Sequence, residues 1–174
     1  MLFRSVYRTW SCYLPAEEQK FRAQKIQFYS LASLEIGITV GRKNPLFYQE
    51  KDSISPESLA GYPVIVYSGQ SDGPYSDIFR KLGIPRAHQR IATTSRAAIF
   101  EYLNTTCGYY LNSIYSDSIY QSSPETADSR RIFRLENCNI RSEIGWMKHQ
   151  DYILSDVAKE FVHGLKEYFS KSGI

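Results

Sequence analysis

The chain has 174 residues, 43% of them apolar and 22% charged, with a formal net charge of +3. That length allows one domain or two small lobes burying roughly 70% of the unfolded surface, and the composition excludes a disordered chain. Its basic residues are scattered without a run of five, so charge alone does not mark a nucleic-acid binder, and every apolar run is far shorter than a membrane span.

Cys12, Cys107 and Cys138 are an odd and widely spaced set. They fit buried thiols in a reducing compartment better than a disulfide framework. Met1 to Trp10 carries arginines on both sides of its apolar residues, unlike a secretory signal. A cytoplasmic protein without a membrane anchor is the expectation.

Residues 2–14 alternate loosely and are rich in Tyr, Trp and Val, which reads as a strand; Ala16–Gln24 is polar, a helical turn or surface loop. Ile26–Gly41 is the longest strand-like segment. Ile26, Phe28 and Ser30 share one face, whereas Leu34, Ile36, Ile38 and Val40 alternate later, so the pattern slips. Two strands joined near Leu31–Ser33, or a bulge, would account for the slip. Gly41–Pro45 is a turn.

Ser55 to Gly83 is the most legible stretch. Ser55 is placed to cap a short helix whose first position Pro56 can occupy, because its missing N–H is no loss there. Gly61-Tyr62-Pro63 ends that turn. Val64–Tyr67 is a β-branched run that reads as a strand buried on both faces. Ser68–Gly73 is a polar loop, Pro74 opens a helix carrying Ile78, Phe79 and Leu82 on one face, and Gly83 stops it. A buried strand delivering a polar loop to a helix N-terminus is how α/β sheets build ligand sites, so this loop is expected to face a small molecule.

Gln89–Thr93 is a short strand, Thr94-Ser95 an N-cap pair, and Arg96–Leu103 a helix with Ala97, Phe100 and Leu103 or Asn104 toward the sheet. Thr105–Gly108 ends it and Tyr109–Leu111 begins another strand. Two strand–helix units in succession indicate a parallel sheet with right-handed crossovers. Residues 113–130 are Ser-rich and polar, followed by strands in RIFRLE and SEIGWMKH. Ser155 caps a final helix, in which Val157, Phe161, Leu165 and Phe169 form a stripe.

The order of these pieces resembles the effector-binding domain of the LysR-type transcriptional regulators. ITVGRKNPL (Ile38–Leu46) is similar to the strand leaving the family's first lobe and its His-Pro-Leu turn, with Asn44 in place of histidine. ISPESLAGYPVIVYS (Ile54–Ser68) resembles the family's helical turn, tyrosine–proline and strand. Phe79–Leu111 follows its helix, strand and helix, ending at Thr106-Cys107-Gly108 where the family has Gly-x-Gly. Glu143–Phe169 looks like the closing strand and C-terminal helix.

The resemblance implies an α/β, type 2 periplasmic-binding-protein-like fold with one complete lobe and part of the second. Residues 1–40 would be the tail of lobe one and the first crossing strand, 41–132 a complete lobe two, and 133–174 the return crossing strand and C-terminal helix. A small-molecule effector would lie between the lobes, a carboxylate or other small anion, and the domain would form a homodimer. DNA would be bound only through an N-terminal helix-turn-helix absent from this chain, which would make it a truncated regulator.

Carried over by position, Ser68, Gln70 and Ser71 match the effector-binding loop after the first lobe-two strand, and Thr93, Thr94 and Ser95 match a second strand-to-helix junction. Thr106 stands where a glycine is usual and would narrow the cleft or cap a turn. For Thr94, Ser95 and Asp72, plain N-capping is the competing reading, since capping needs the same residue types. Ser68 and Gln70 are not needed to cap the Pro74 helix.

No cofactor and no metal are expected, since His88, His149 and His163 share no metal-type spacing. Cys107, without a positive neighbour to lower its pKa, is expected to be buried and inert rather than redox-sensing. No nucleophile elbow or phosphate-binding glycine loop is present, so the chain is not expected to be an enzyme. The alternatives are an enzyme on a similar two-lobed scaffold, or a half-length protein that pairs with full-length regulators.

Overall fold

The longest β-rich run of the sequence becomes the longest strand. In the computed structural model, which describes residues 22–67, 74–114 and 129–171, Ile26–Gly41 forms one uninterrupted strand, β1. The two-strand or bulge reading near Leu31–Ser33 is therefore corrected. What changes there is the surroundings. Burial is patchy up to Leu34, whereas every residue from Ile36 to Gly41 is buried.

The chain falls into two compact units, Met1–Leu34 with Arg141–Ile174, and Glu35–Ile140. The backbone therefore passes between them twice, once within β1 and once after Ile140.

In the Glu35–Ile140 unit β1 is joined by β2 (Ser53–Ile54), β3 (Val64–Tyr67), β4 (Arg90–Thr93), β5 (Tyr109–Ile114) and β6 (Arg130–Leu135). The strand order is β2-β6-β1-β5-β3-β4. β3 is parallel to both β4 and β5, as expected where a helix connects successive strands. The parallel pairing expected of the two strand–helix units is thus present, within a sheet that as a whole is mixed. β1 runs antiparallel to β5, with Val40 opposite Tyr109, and to β6, with Gly41 opposite Arg130. Arg131 holds the chain before β2 against β6, donating to the carbonyls of Phe47, Gln49, Glu50 and Lys51 and pairing with Asp52 at 3.0 Å.

Two helices connect the parallel strands, α1 (Pro74–Lys81) and α2 (Arg96–Thr105). Ile78 and Leu82 are buried and Phe79 half-buried, so that face is as read. Gly83, at φ +71°, takes the left-handed conformation that lets Ile84 N–H reach the Phe79 carbonyl at 2.9 Å.

The expected face of α2 is corrected. Ala97 and Phe100 are exposed, while Ile99 and Leu103 pack on Ile65 with Tyr67, Ile91, Tyr102 and Tyr110 around them. Ile99 and Leu103 lie one turn apart, so this rotation buries two large side chains instead of an alanine and one ring. Phe100 is covered from outside by the Arg130 guanidinium, 4.2 Å from its ring centre.

Pro56–Leu59 is a short 3-10 turn, but the Ser55 side chain makes no capping bond, contrary to expectation. Its carbonyl does the work instead, accepting from Ser58 N–H at 3.1 Å and Ser58 Oγ at 2.6 Å.

In the other unit β1 pairs with β7 (Arg141–His149). Arg141 donates to Ser33 Oγ at 3.2 Å and to its carbonyl at 2.9 Å. The Tyr29 and Trp146 rings stack at 4.2 Å, 9° from parallel. Ser155 Oγ accepts from Ala158 N–H at 3.3 Å and caps the last helix, α3 (Asp156–Lys171). The expected stripe on α3 is only half right. Leu165 and Phe169 are half-buried, joined by Ala158 and Val162, whereas Val157 is 78% and Phe161 48% exposed. The strand read in residues 2–14, most of Ala16–Gln24, the loop Ser68–Gly73 and residues 115–128 lie outside the described residues. Among the described residues no helix is long and apolar enough to cross a membrane.

Candidate functional site

Register sets where the polar junctions stand. Val64 pairs with Arg90 and Tyr67 with Thr93, so β3 and β4 end together at one edge of the sheet. From that edge the chain leaves β4 through Thr94 and Ser95 into α2. Ser68, Gln70 and Ser71, expected to form the companion loop after β3, lie outside the described residues.

At the described junction the hydroxyls are engaged in local bonds. Thr93 Oγ1 accepts from Ser95 N–H at 3.1 Å, and Ser95 Oγ accepts from Ala98 N–H at 3.4 Å. A hydroxyl carries one donor and two acceptor positions, so Ser95 Oγ keeps its donor, whereas Thr93 Oγ1 also donates to the Ser95 carbonyl at 3.4 Å and keeps only an acceptor position. At Ser95 the capping and ligand-contact readings are therefore compatible. Thr94 stands exposed between them. The first helical residue, Arg96, is also exposed and adds a permanent cation to the partial positive end of α2. Sequence reasoning passed over Arg96; its place directly after an N-cap pair was the available signal.

Thr106 is not part of this group. β5 begins at Tyr109 beside Val64, the opposite end of β3 from Tyr67. A helix of ten residues spans about 15 Å, carrying the chain from the Thr93–Ser95 edge to the other side. There Thr106 Oγ1 donates to the Tyr102 carbonyl at 2.6 Å and accepts from Gly108 N–H at 3.1 Å. Its hydroxyl terminates α2. Counting elements would have separated it, because alternate ends of strand–helix units lie on opposite edges.

Cys107 follows in the same turn and is exposed, correcting the expectation of a buried thiol. The turn directs its carbonyl inward to Asn44 Nδ2, at 2.6 Å. Tyr109, one residue past Gly108, is 1% exposed, and burial raises its phenol to about 12. Burial also lowers the Arg130 guanidinium. Among the described residues no three His, Cys, Asp or Glu side chains are grouped to hold a metal ion. His88, His149 and His163 are exposed, the last two beside Asp151 and Glu167 at 3.6 and 3.2 Å.

By sequence the chain matches no family model and no curated protein. Solved structures match it closely in fold. The effector binding domain of QuiR in complex with shikimate superposes with a TM-score of 0.61 at 17% identity, over 91% of this chain and 69% of that one. The CcmR regulatory domain of Synechocystis PCC6803 in complex with 2-PG gives 0.62 at 15% identity, over 83% of this chain and 67% of that one. HinK, a LysR family transcriptional regulator from Pseudomonas aeruginosa, gives 0.63 at 14% identity, over 84% of this chain and 49% of that one. The chain thus spans about two thirds of the first two structures and about half of the third. The mixed sheet, the two units and these superpositions together give the chain the fold of LysR-family effector-binding domains, a type 2 periplasmic-binding-protein-like α/β fold.

Proposed function

We propose that the chain is the effector-sensing domain of a LysR-type transcriptional regulator. It senses a small anion, a carboxylate first of all, and acts as a homodimer in the cytoplasm. It contacts DNA only through a part of the regulator not among these 174 residues. The observation that carries this reading is the shared edge of β3 and β4, where Thr93, Thr94, Ser95 and Arg96 surround the N-terminus of α2. Hydroxyl donors, unpaired helix amides and a guanidinium suit a carboxylate. Two structures of this fold carry small molecules, shikimate in QuiR and 2-PG in CcmR, which supports the same class of ligand here. The Glu35–Ile140 unit corresponds in this reading to the family's second lobe, and Ser68, Gln70 and Ser71 complete the site from β3.

Effector action requires different affinities for two arrangements of the domain, not tight binding alone. Binding itself comes first and is testable. A ligand at 100 times its Kd adds about 2.7 kcal/mol, which raises Tm by about 5 °C or more in a domain of this size. Thermal melts of the 174-residue chain with a panel of hydroxycarboxylates, phosphocarboxylates and amino acids should give such a shift for at least one class. Thr94→Ala and Arg96→Gln should reduce it. No shift across the panel, in a chain that melts cooperatively, overturns the reading.

A further inference from the structure

We propose that the Arg141–Ile174 segment carries a small-molecule site of its own, on α3, for a flat apolar anion such as an aromatic carboxylate. It is independent of the β3–β4 edge, which belongs to the other unit. The site is an open pocket of about 300 Å³ lined by Trp146, Leu154, Lys159, Val162, His163 and Lys166. That volume is at the small end of ligand pockets, enough for one or two rings.

Its walls sort by chemistry. Trp146 on β7, Leu154 before α3 and Val162 on α3 form an apolar floor. Lys159, His163 and Lys166 share one face of α3 with Val162, at i, i+4 and i+7 against its i+3, and all three are exposed. Among the described residues no acidic side chain lines the pocket. The nearby acids are engaged on the helix surface, Asp156 with Lys159 at 2.8 Å, and Glu167 with His163 and Lys171 at 3.2 Å each. A ligand with an apolar ring and one negative group matches this division.

Trp146 also supplies a reporter. Its Nε1 is buried and has no hydrogen-bond partner among the described residues, so the nitrogen stays closed to a ligand oxygen while the side chain lines the pocket. Stacking on Tyr29 at 4.2 Å holds the indole plane in place, so the floor is preformed.

The test uses benzoate and its neutral isostere benzamide at constant ionic strength, with the Trp146 indole N–H followed by two-dimensional NMR. The chain has two tryptophans, so Trp10→Phe assigns the signal. Benzoate should move the resonance saturably, and benzamide should bind at least tenfold more weakly. The double variant Lys159→Gln with Lys166→Gln should weaken benzoate at least tenfold while Tm stays within about a degree, since the Lys159–Asp156 pair is exposed. Thr94→Ala and Arg96→Gln should leave this titration unchanged, which separates it from the site at the β3–β4 edge. No saturable shift, equal binding of the two probes, or undiminished binding by the double variant overturns the proposal. So does self-association, seen by sedimentation velocity, that blocks the titration: the pocket would then be an interface between copies.

Discussion

Asn44 reaches across 63 residues to Cys107, donating its Nδ2 to the cysteine carbonyl at 2.6 Å. Its Oδ1 accepts from Leu46 N–H at 2.9 Å, and the side chain is fully buried. One amide thus ties the turn after β1 to the turn that ends α2. Asn44→Ala leaves a carbonyl and an N–H without their partner, at about 1–3 kcal/mol each, so a loss of about 2–4 kcal/mol is expected from urea unfolding. Asn44→Asp keeps the acceptor but sets a carboxylate oxygen against the Cys107 carbonyl and should be no better tolerated. A loss below about 1 kcal/mol for both variants would remove this tie from the account.

Gly41 marks the closest approach of backbone to backbone in the same region. A Cβ there would lie 1.8 Å from the Leu103 carbonyl oxygen. Neither β1 nor the end of α2 can yield cheaply, so Gly41→Ala should cost about 3 kcal/mol or more, or prevent folding. Gly164 offers the contrasting case, with open space around its Cβ position in exposed α3. Gly164→Ala should stabilise by roughly 0.5–1 kcal/mol through helix propensity alone, read as a rise in Tm.

Ser95 and Thr94 should separate capping from binding. Ser95→Ala removes the acceptor for Ala98 N–H and should cost about 1 kcal/mol of stability. Thr94→Ala, at an exposed position, should change stability by less than about 0.5 kcal/mol. It should nonetheless weaken a bound carboxylate by about fivefold, the worth of one hydrogen bond, measured by calorimetric titration. Stability loss without binding loss at Thr94 would assign the junction to structure alone.

Tyr109 makes stability depend on alkaline pH. Its folded-state phenol is raised to about 12 by burial, against 10.0 for an exposed tyrosine. The unfolded chain therefore loses this proton first, and the contribution, in full below pH 10, declines as pH climbs toward about 12. The total is of order 2 kcal/mol. Unfolding by denaturant between pH 9 and 11.5 should show a steeper decline for the natural chain than for Tyr109→Phe. Parallel pH profiles would show that the phenol titrates as in solvent.

Much of this fold was legible because its signals are local. Val64–Tyr67 is β-branched and apolar, Pro74 and Gly83 bracket a helix, and Ser95 precedes one; each depends on residues within a turn of one another. The misreadings have a common character. The slip at Leu31–Ser33 looked like a break in a strand, yet the backbone runs straight through while its burial changes. α2 was assigned a face through Ala97 and Phe100, because periodicity offers several stripes and only the sheet selects Ile99 and Leu103. Thr106 carried two readings, narrowing the cleft or capping a turn, and its bonds to the Tyr102 carbonyl and Gly108 N–H match the second, at the opposite end of the strands from Thr93.

The amino-acid order by itself determined the strand and helix segments, the turns that punctuate them and the α/β class, since backbone preference and side-chain periodicity act over a few residues. Only the tertiary structure decided which strands are neighbours, which face of α2 is covered, and that Asn44 meets Cys107. Those outcomes depend on contacts between residues far apart in the chain, and close packing admits one arrangement of them where local preference allows several.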